Sequence, residues 1–393
     1  MGRYAWFIGG VTSWFLGAGM QQVLFAWLLV GTLHQDPHWV GTAQMCQTLP
    51  ALLFLLLGGL IADHFDRRTL LVVLHALAAV AAGGMSLAVG TGLLSLGVVI
   101  LYGLSWGTLA AFAQPARDAL LSEVVTGDLM RGVTGAALAQ FAAQAVGARL
   151  AGFSGRLGNP AALGFQAAVF AAGLVMAWRL PAAPPMQART GGSTAMSAIR
   201  EGWREVTHSE HLRPIAVLVA CDGLFFMGPF IVLCPLIVRD VYHGGITELS
   251  LVVMALTAGT IGGSVAVLLR GGVRRKGLAF LLALFGVASC LVILAAPLSF
   301  REFIAVMVGW GICHSLFFNT SRALFQEAAP PSHRARVLSI HSLGLLGMAP
   351  LSNLAAGFVS GIVGTRASCA LAGLAMLVVT AVASVVTPVR RLE

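Results

Sequence analysis

Gly59-Leu60-Ile61-Ala62-Asp63-His64-Phe65-Asp66-Arg67-Arg68 is a polar stretch set between two long apolar runs. Residues 38–62 lead into it and residues 69–90 lead out. A connection this short cannot be a domain of its own. Two acids and two adjacent arginines at such a place either fix the turn between two membrane spans or work as a latch.

The apolar runs beside it are typical of the whole chain. Of 393 residues, 58% are hydrophobic and only 10% charged, with a mean hydropathy of +0.88. A soluble domain carries about 25% charged residues, so the composition predicts a polytopic membrane protein. The net charge of +9 does not indicate nucleic acid. Only Lys276 among the 24 basic residues is a lysine, and most sit in short loops between apolar runs, where they report orientation. The first run, 4–31, is too long for a signal-peptide core, so no cleavable leader is expected. The six cysteines fall inside apolar runs without a CxxC pair, which predicts neither a disulfide framework nor a zinc site.

Crossing the hydrocarbon core takes about 20 residues of helix. Twelve runs qualify: 4–31, 38–62, 69–90, 92–115, 131–155, 159–178, 213–238, 247–270, 277–297, 301–325, 335–361 and 366–388. They are continuous rather than alternating, which predicts helices and not a β-barrel. Threading them in order puts nineteen basic residues on one side, against Arg156, Arg239, Arg301 and Arg366 on the other. The positive-inside rule then places both termini in the cytoplasm.

The one long break, 179–212, starts with Pro181, Pro184 and Pro185. It ends in an amphipathic segment, 198–208, with Ile199, Trp203 and Val206 on one face. That segment is expected to be a helical linker in contact with the membrane interface. The halves on either side resemble each other. Ala119-Leu-Leu-Ser-Glu-Val-Val125 is echoed 204 residues later by Ala323-Leu-Phe-Gln-Glu-Ala-Ala329, and Arg67-Arg68 by Arg274-Arg275. The expected fold is therefore an all-α membrane protein of twelve transmembrane helices in two pseudo-symmetric six-helix bundles, 1–178 and 213–393, joined by the linker.

The opening stretch resembles the loop signature between helices 2 and 3 of the major facilitator superfamily, written G-x-L-A-D-x-x-G-R-R/K. Gly59, Ala62, Asp63, Arg67 and Arg68 match, whereas Ile61 and Asp66 depart from it. The ADxFDRR form is similar to the drug and siderophore exporter branch that includes the enterobactin exporter and macrolide efflux proteins. Gln114–Glu123, Ala198–Trp203 and Phe318–Glu327 resemble the same branch, so the likeness covers essentially the whole chain. It implies a secondary transporter of the bacterial inner membrane that exports a drug-like or siderophore-like amphipathic molecule, with protons as the exchanged ion. Two elements depart from the family pattern. Gly147-Ala-Arg-Leu-Ala-Gly152 replaces the Gly-Pro-x-x-Gly-Gly of many antiporters, and Tyr102–Gly107 lacks the helix 4 arginine of many proton-coupled members.

The same resemblance implies roles for particular residues. Asp63 would latch the outward-facing state against the start of helix 11, because free N–H groups and the helix dipole stabilise a carboxylate there. Arg117 would be its ion partner, with Arg67 and Arg68 completing the gate. The alternative is that these charges only set topology. Asp222 is the only acid deep in a span. It is either a proton-coupling group or a structural one, and ionisable residues inside spans favour the first reading. Arg149, far along the fifth span, contacts an anionic substrate, closes an outer gate, or snorkels to the interface.

Gln21, Gln22, Gln47, Gln140, Gln144, Phe226, Asn319 and His341 lie on helices that line the cavity in this family, although such residues also serve as interhelical glue. His75, His314 and His341 sit in separate spans without metal-ligand spacing. No Walker motif, nucleophile elbow or carboxylate pair is present, so neither ATP hydrolysis nor catalysis is expected, nor any cofactor. The expected partners are the amphipathic substrate, protons and the lipid bilayer, with no nucleic acid, and the expected state is a monomer. Two alternatives remain: a lysophospholipid transporter, or a non-transporting membrane sensor or assembly subunit. The latch has a direct test. Asp63→Asn is expected to shift the inward/outward balance, read by labelling of a cysteine placed on the periplasmic side; unchanged labelling removes the latch.

Overall fold

In the computed structural model, residues 2–64, 66–125, 129–180, 195–329 and 334–392 are described, excluding the side chains of 55–64, 122–123, 129–131, 195–199 and 334–336. Sixteen α-helices follow in chain order among them. The first seven are α1 (Arg3–Trp27), α2 (Pro37–His64), α3 (Arg67–Gly90), α4 (Leu96–Val124), α5 (Leu129–Ala151), α6 (Ser154–Leu157) and α7 (Asn159–Trp178). Then come α8 (Ala195–His208), α9 (Leu212–Gly228), α10 (Cys234–Asp240), α11 (Ile246–Leu269) and α12 (Lys276–Ile293). The last are α13 (Phe300–Ala328), α14 (Arg334–Gly347), α15 (Ala349–Val363) and α16 (Thr365–Val386). Ten helical stretches among the described residues are long and apolar enough to cross a membrane. To these are added α2 and α5, 28 and 23 residues long, which contain undescribed side chains.

Most ends fall within a few residues of the hydropathy reading. The exceptions have physical causes. Span 4 was expected to stop at residue 115, but α4 runs on to Val124 with Pro115 inside it. The likeness at residues 119–125 and 323–329 therefore lies on the last turns of α4 and α13, not after them. Span 11 is broken between α14 and α15, with Pro350 in the first turn of α15, where proline is tolerated. Helix α8 packs on α14 and α9. Its buried face carries Gly202 and Val206, while Trp203 is 58% exposed. The expected shared face of Trp203 and Val206 is thus split.

Backbone detail repeats between the halves. A π-helical turn extends α1 at Leu28–Thr32, and another joins α9 to α10 at Pro229–Leu233. The loop after each contains a histidine in the left-handed region, His34 (φ 49°) and His243 (φ 48°), a conformation histidine adopts more readily than most residues. Gly158 (φ 83°) and Gly364 (φ 85°) precede α7 and α16 in the same way.

The chain divides into two compact units. Unit 1 comprises Met1–Gln35, Cys46–Gly192 and His243–Val253; unit 2 comprises Asp36–Met45, Ser193–Tyr242 and Met254–Glu393. The first turns of α2 therefore belong to unit 2, and the first turns of α11 to unit 1. Within unit 1, α1 crosses α5 where Gly19 meets the Gln144 carbonyl and Gly147 meets the Leu16 carbonyl. A Cβ at either glycine would overlap backbone, so the helices touch main chain to main chain. Trp14, Leu74, Ala78, Leu109, Ala113 and Phe170 then fill the space between α1, α3, α4 and α7. In unit 2, Gly259 and Gly311 make the matching crossing of α11 and α13. Of the other α11 glycines, Gly263 faces the Ile312 carbonyl, whereas Gly262 faces open space.

The start of α3 explains Asp66. Its side chain accepts from the main-chain N–H of Arg68 (3.3 Å) and Thr69 (3.2 Å), and from the Thr69 hydroxyl (2.5 Å). The acid that departs from the loop signature is the N-cap of the helix that follows. Asp66→Ala should cost about 1 kcal/mol of stability, seen as a lower Tm in detergent, while Asp66→Asn keeps most of it.

Candidate functional site

The loop that opens α3 is tied to the bundle by its arginines. Arg67 is 3% exposed. Arg68 Nη2 donates to the Trp178 carbonyl at 2.6 Å, satisfying a free acceptor at the end of α7, as basic side chains commonly do at helix C-termini. Asp63 lies in the last turn of α2, and its side chain is outside the described residues.

Arg117 lies two turns inside α4 and is 5% exposed. Its guanidinium stands 4.9 Å from the Trp14 ring centroid and 4.8 Å from that of Phe15. Two aromatic faces are a favourable seat for a desolvated cation. Nη2 donates to Gln114 Oε1 at 2.9 Å, and Gln114 Nε2 donates to both Asp118 oxygens at 2.9 and 3.0 Å. The i, i+3 and i, i+4 spacing of Gln114-Pro-Ala-Arg-Asp118 thus couples the cation to a carboxylate through an amide.

Unit 1 holds a closed amide network. Tyr102 of α4 donates its hydroxyl to Gln21 Oε1 of α1 at 2.5 Å. Gln166 Nε2 of α7 donates to the same oxygen at 3.0 Å and to the Gly17 carbonyl at 3.0 Å. Gln21 Nε2 donates onward to Gln47 Oε1 of α2 at 3.4 Å. Gln21 and Gln166 are fully buried, Tyr102 nearly so, and Gln47 is half-buried. With its oxygen engaged inside, Gln47 is left to present its amide N–H groups. Gln22, Gln140 and Gln144 are also half-buried in unit 1. Arg149 lies in the last turn of α5, 4.6 Å over the Phe153 ring.

Unit 2 carries Asp222 in the interior of α9. It is 0% exposed, and neither carboxylate oxygen has a hydrogen-bond partner. The next residue, Gly223, presses against the Leu345 and Gly344 carbonyls of α14, which seals that side of α9. His341 is 4% exposed and its Nε2 pairs with the Ser321 hydroxyl at 3.0 Å. Asn319 is exposed and donates to the Ser315 carbonyl at 2.9 Å; the Ser264 and Ser315 hydroxyls pair at 2.8 Å beside it. Phe226 is 3% exposed, with its ring 6.3 Å from that of Trp310, so here it packs α9 on α13. No group of three metal-ligating side chains occurs among the described residues.

The structure brings Gln21 and Gln47 together through two residues absent from the expected set, Tyr102 and Gln166. Each carried a signal: Tyr102 is one of only three tyrosines, and Gln166 is the one amide in the run 159–178 apart from its first residue, Asn159. Gln114 was likewise missed as the partner of Arg117.

The family model for transmembrane secretion effectors, of the major facilitator type, matches residues 3–393. No curated protein matches the chain significantly in sequence. Among solved structures, a point variant of the nucleoside transporter NupG is similar with a TM-score of 0.78 at 13% identity, covering 96% of this chain and 98% of that one. A POT family transporter in complex with 5-aminolevulinic acid gives 0.77 at 11% identity, covering 98% and 96%. A bacterial homologue of the human lysosomal transporter Spinster, inward-facing and unoccupied, gives 0.69 at 13% identity, covering 99% and 96%. At such identities the likeness is one of fold.

Gln166→Leu removes the donor shared by Gln21 and Gly17 and strands buried acceptors. It should cost about 1–3 kcal/mol, read as a lower Tm, whereas Tyr102→Phe should cost less because Gln21 Oε1 keeps its Gln166 donor.

Proposed function

This chain belongs to the transmembrane secretion effector family of the major facilitator superfamily, and from that premise we propose that it is a proton-coupled exporter of an amphipathic small molecule. Family and fold make it a membrane transporter rather than an enzyme. Export, the amphipathic cargo, proton exchange and a bacterial inner-membrane location are our reading. So are a monomeric state, and termini in the cytoplasm as the arginine distribution indicates.

The observation that carries the coupling is Asp222. A carboxylate buried in a span with no hydrogen-bond partner on either oxygen has no structural bond to explain it. Holding a bare charge there is costly, so the group fits a cycle in which it takes up a proton from one side and releases it to the other. The gate is assigned to Asp63, Arg67, Arg68 and Arg117, since the loop is anchored by its arginines while α4 holds a buried cation. The residues that would meet cargo are the half-buried Gln22, Gln47, Gln140, Gln144 and Arg149 in unit 1 and the exposed Asn319 in unit 2. Gln21, His341 and Phe226 stand behind them and fix their surroundings. Alternating access, in which the transporter opens to either side in turn, is the cycle we assign to it.

One observation favours the lysophospholipid alternative. Within unit 2, a cavity of about 410 Å³ is lined by Leu224, Phe225, Leu233, Val359, Leu371 and further apolar side chains. The hydroxyls of its two serines are spent on main-chain carbonyls. A hydrocarbon chain is the occupant such a lining suits.

The test is transport into everted membrane vesicles with an imposed pH gradient. A fluorescent amphipathic dye and a fluorescent lysophospholipid serve as competing cargoes. The exporter reading predicts gradient-driven accumulation of the dye, reduced to background in Asp222→Asn while the variant still folds and binds dye. Uptake of the lysophospholipid alone would support the alternative, and full activity of Asp222→Asn would remove the coupling assignment.

A further inference from the structure

The arginine pair at the start of α3 and its echo before α12 are placed differently. In unit 1, Arg67 is buried and Arg68 is bonded to the Trp178 carbonyl at the end of α7. In unit 2, Arg274 and Arg275 are exposed. There the chain beyond α16 makes a 3-10 turn, Pro388–Arg391, that packs on α12. Val389 is its buried anchor, and the Gly277 N–H donates to the Leu392 carbonyl at 3.0 Å. That bond lies two residues past Arg275 and one past Arg391. It gathers Arg274-Arg275 and Arg390-Arg391 at one corner of unit 2, all four exposed.

Among the described residues, none of the four guanidinium groups has a hydrogen-bond or ion-pair partner. Glu327 of α13 pairs with Lys276 at 3.0 Å, so that acid is engaged by the neighbouring lysine. The one acid within either segment, Glu393, lies outside the described residues. Like charges gathered in this way repel one another, which favours a bound anion. Toward the membrane the surface turns apolar. Leu268 and Leu269 end α11, and Val385 and Val386 end α16; all four are at least 74% exposed. Both helices are long and apolar enough to span the bilayer, so these side chains meet hydrocarbon. A ligand that matches both features carries a phosphate and acyl chains. Arginine suits the phosphate because its planar fork bonds two oxygens at once. A free phosphate would use the arginines alone and leave the apolar ends unmatched.

We propose that this corner of unit 2 binds the headgroup of an anionic phospholipid of the bilayer, with the acyl chains against the apolar ends of α11 and α16. The topology proposed above makes this the cytoplasmic leaflet, whose anionic lipids attract basic segments beside membrane spans. The site depends neither on export nor on proton coupling. The phosphate offsets the repulsion between the two arginine pairs. It also ties the connection before α12 to the turn that follows α16, so the lipid stabilises the folded chain.

Native mass spectrometry of the purified full chain tests this. The protein is mixed with equal amounts of phosphatidylglycerol and phosphatidylcholine carrying the same acyl chains. The unmodified chain should retain phosphatidylglycerol in preference to phosphatidylcholine. Arg274→Gln with Arg275→Gln, or Arg390→Gln with Arg391→Gln, should each weaken that preference, and all four together should bring the two lipids to parity. These side chains are exposed and unbonded, so their loss leaves folding intact. Arg156→Gln with Arg301→Gln, at the opposite ends of their spans, should leave the preference unchanged. An undiminished preference in the fourfold variant, or an equal loss in the Arg156 and Arg301 variant, would overturn the site. The Tm in detergent separates a lipid from a free anion. Phosphatidylglycerol should raise the Tm of the unmodified chain and not that of the fourfold variant, and glycerol 3-phosphate at the same concentration should raise neither. An equal rise with glycerol 3-phosphate would contradict the lipid assignment.

Discussion

Inside hydrocarbon there is no solvent to satisfy a polar group, so every such group must be answered by protein or by enclosed water. This constraint shapes the structure more than any single contact. Backbone groups are answered within helices, and glycines at the α1–α5 and α11–α13 crossings let those helices lie main chain to main chain. Buried side-chain amides are answered in a closed set, with Gln21, Tyr102 and Gln166 bonding one another and Gln47 at the margin. Against that background, groups left unanswered carry information. Asp222 has two such oxygens.

The constraint also decides what could be read before the fold was known. Hydropathy located the spans because an apolar run is the only sequence that can sit in lipid. It misplaced the end of α4 because Gln114, Arg117 and Asp118 end the apolar run, while the helix itself continues to Val124. It missed the π-helical turns at Leu28–Thr32 and Pro229–Leu233 because one extra residue in a turn leaves composition unchanged. The loop signature was legible as a pattern, yet the role of Asp66 became physical only once its carboxylate was seen capping α3.

The candidate site was legible only in part, for a related reason. A polar residue in an apolar run looks the same whether it faces a pathway or a neighbouring helix. Gln21 and His341 read as pathway residues and prove to be buried and bonded within their units. Tyr102 and Gln166 were overlooked, although they are the two donors to Gln21 Oε1. Phe226 was read as a cavity residue, and its buried ring packs against Trp310. Asp222 was placed deep in a span by its position in the sequence, and it is buried in α9 with no hydrogen-bond partner on either oxygen.

The central claim is that Asp222 changes protonation state rather than serving as a fixed structural group. Infrared difference spectroscopy on the protein in lipid, stepped between acidic and alkaline pH, reports this without knowledge of the cargo. A protonated-carboxyl band that appears on one side of the step, vanishes on the other and is missing from Asp222→Asn is the predicted result. The same spectrum in Asp222→Asn as in the unmodified chain would contradict it.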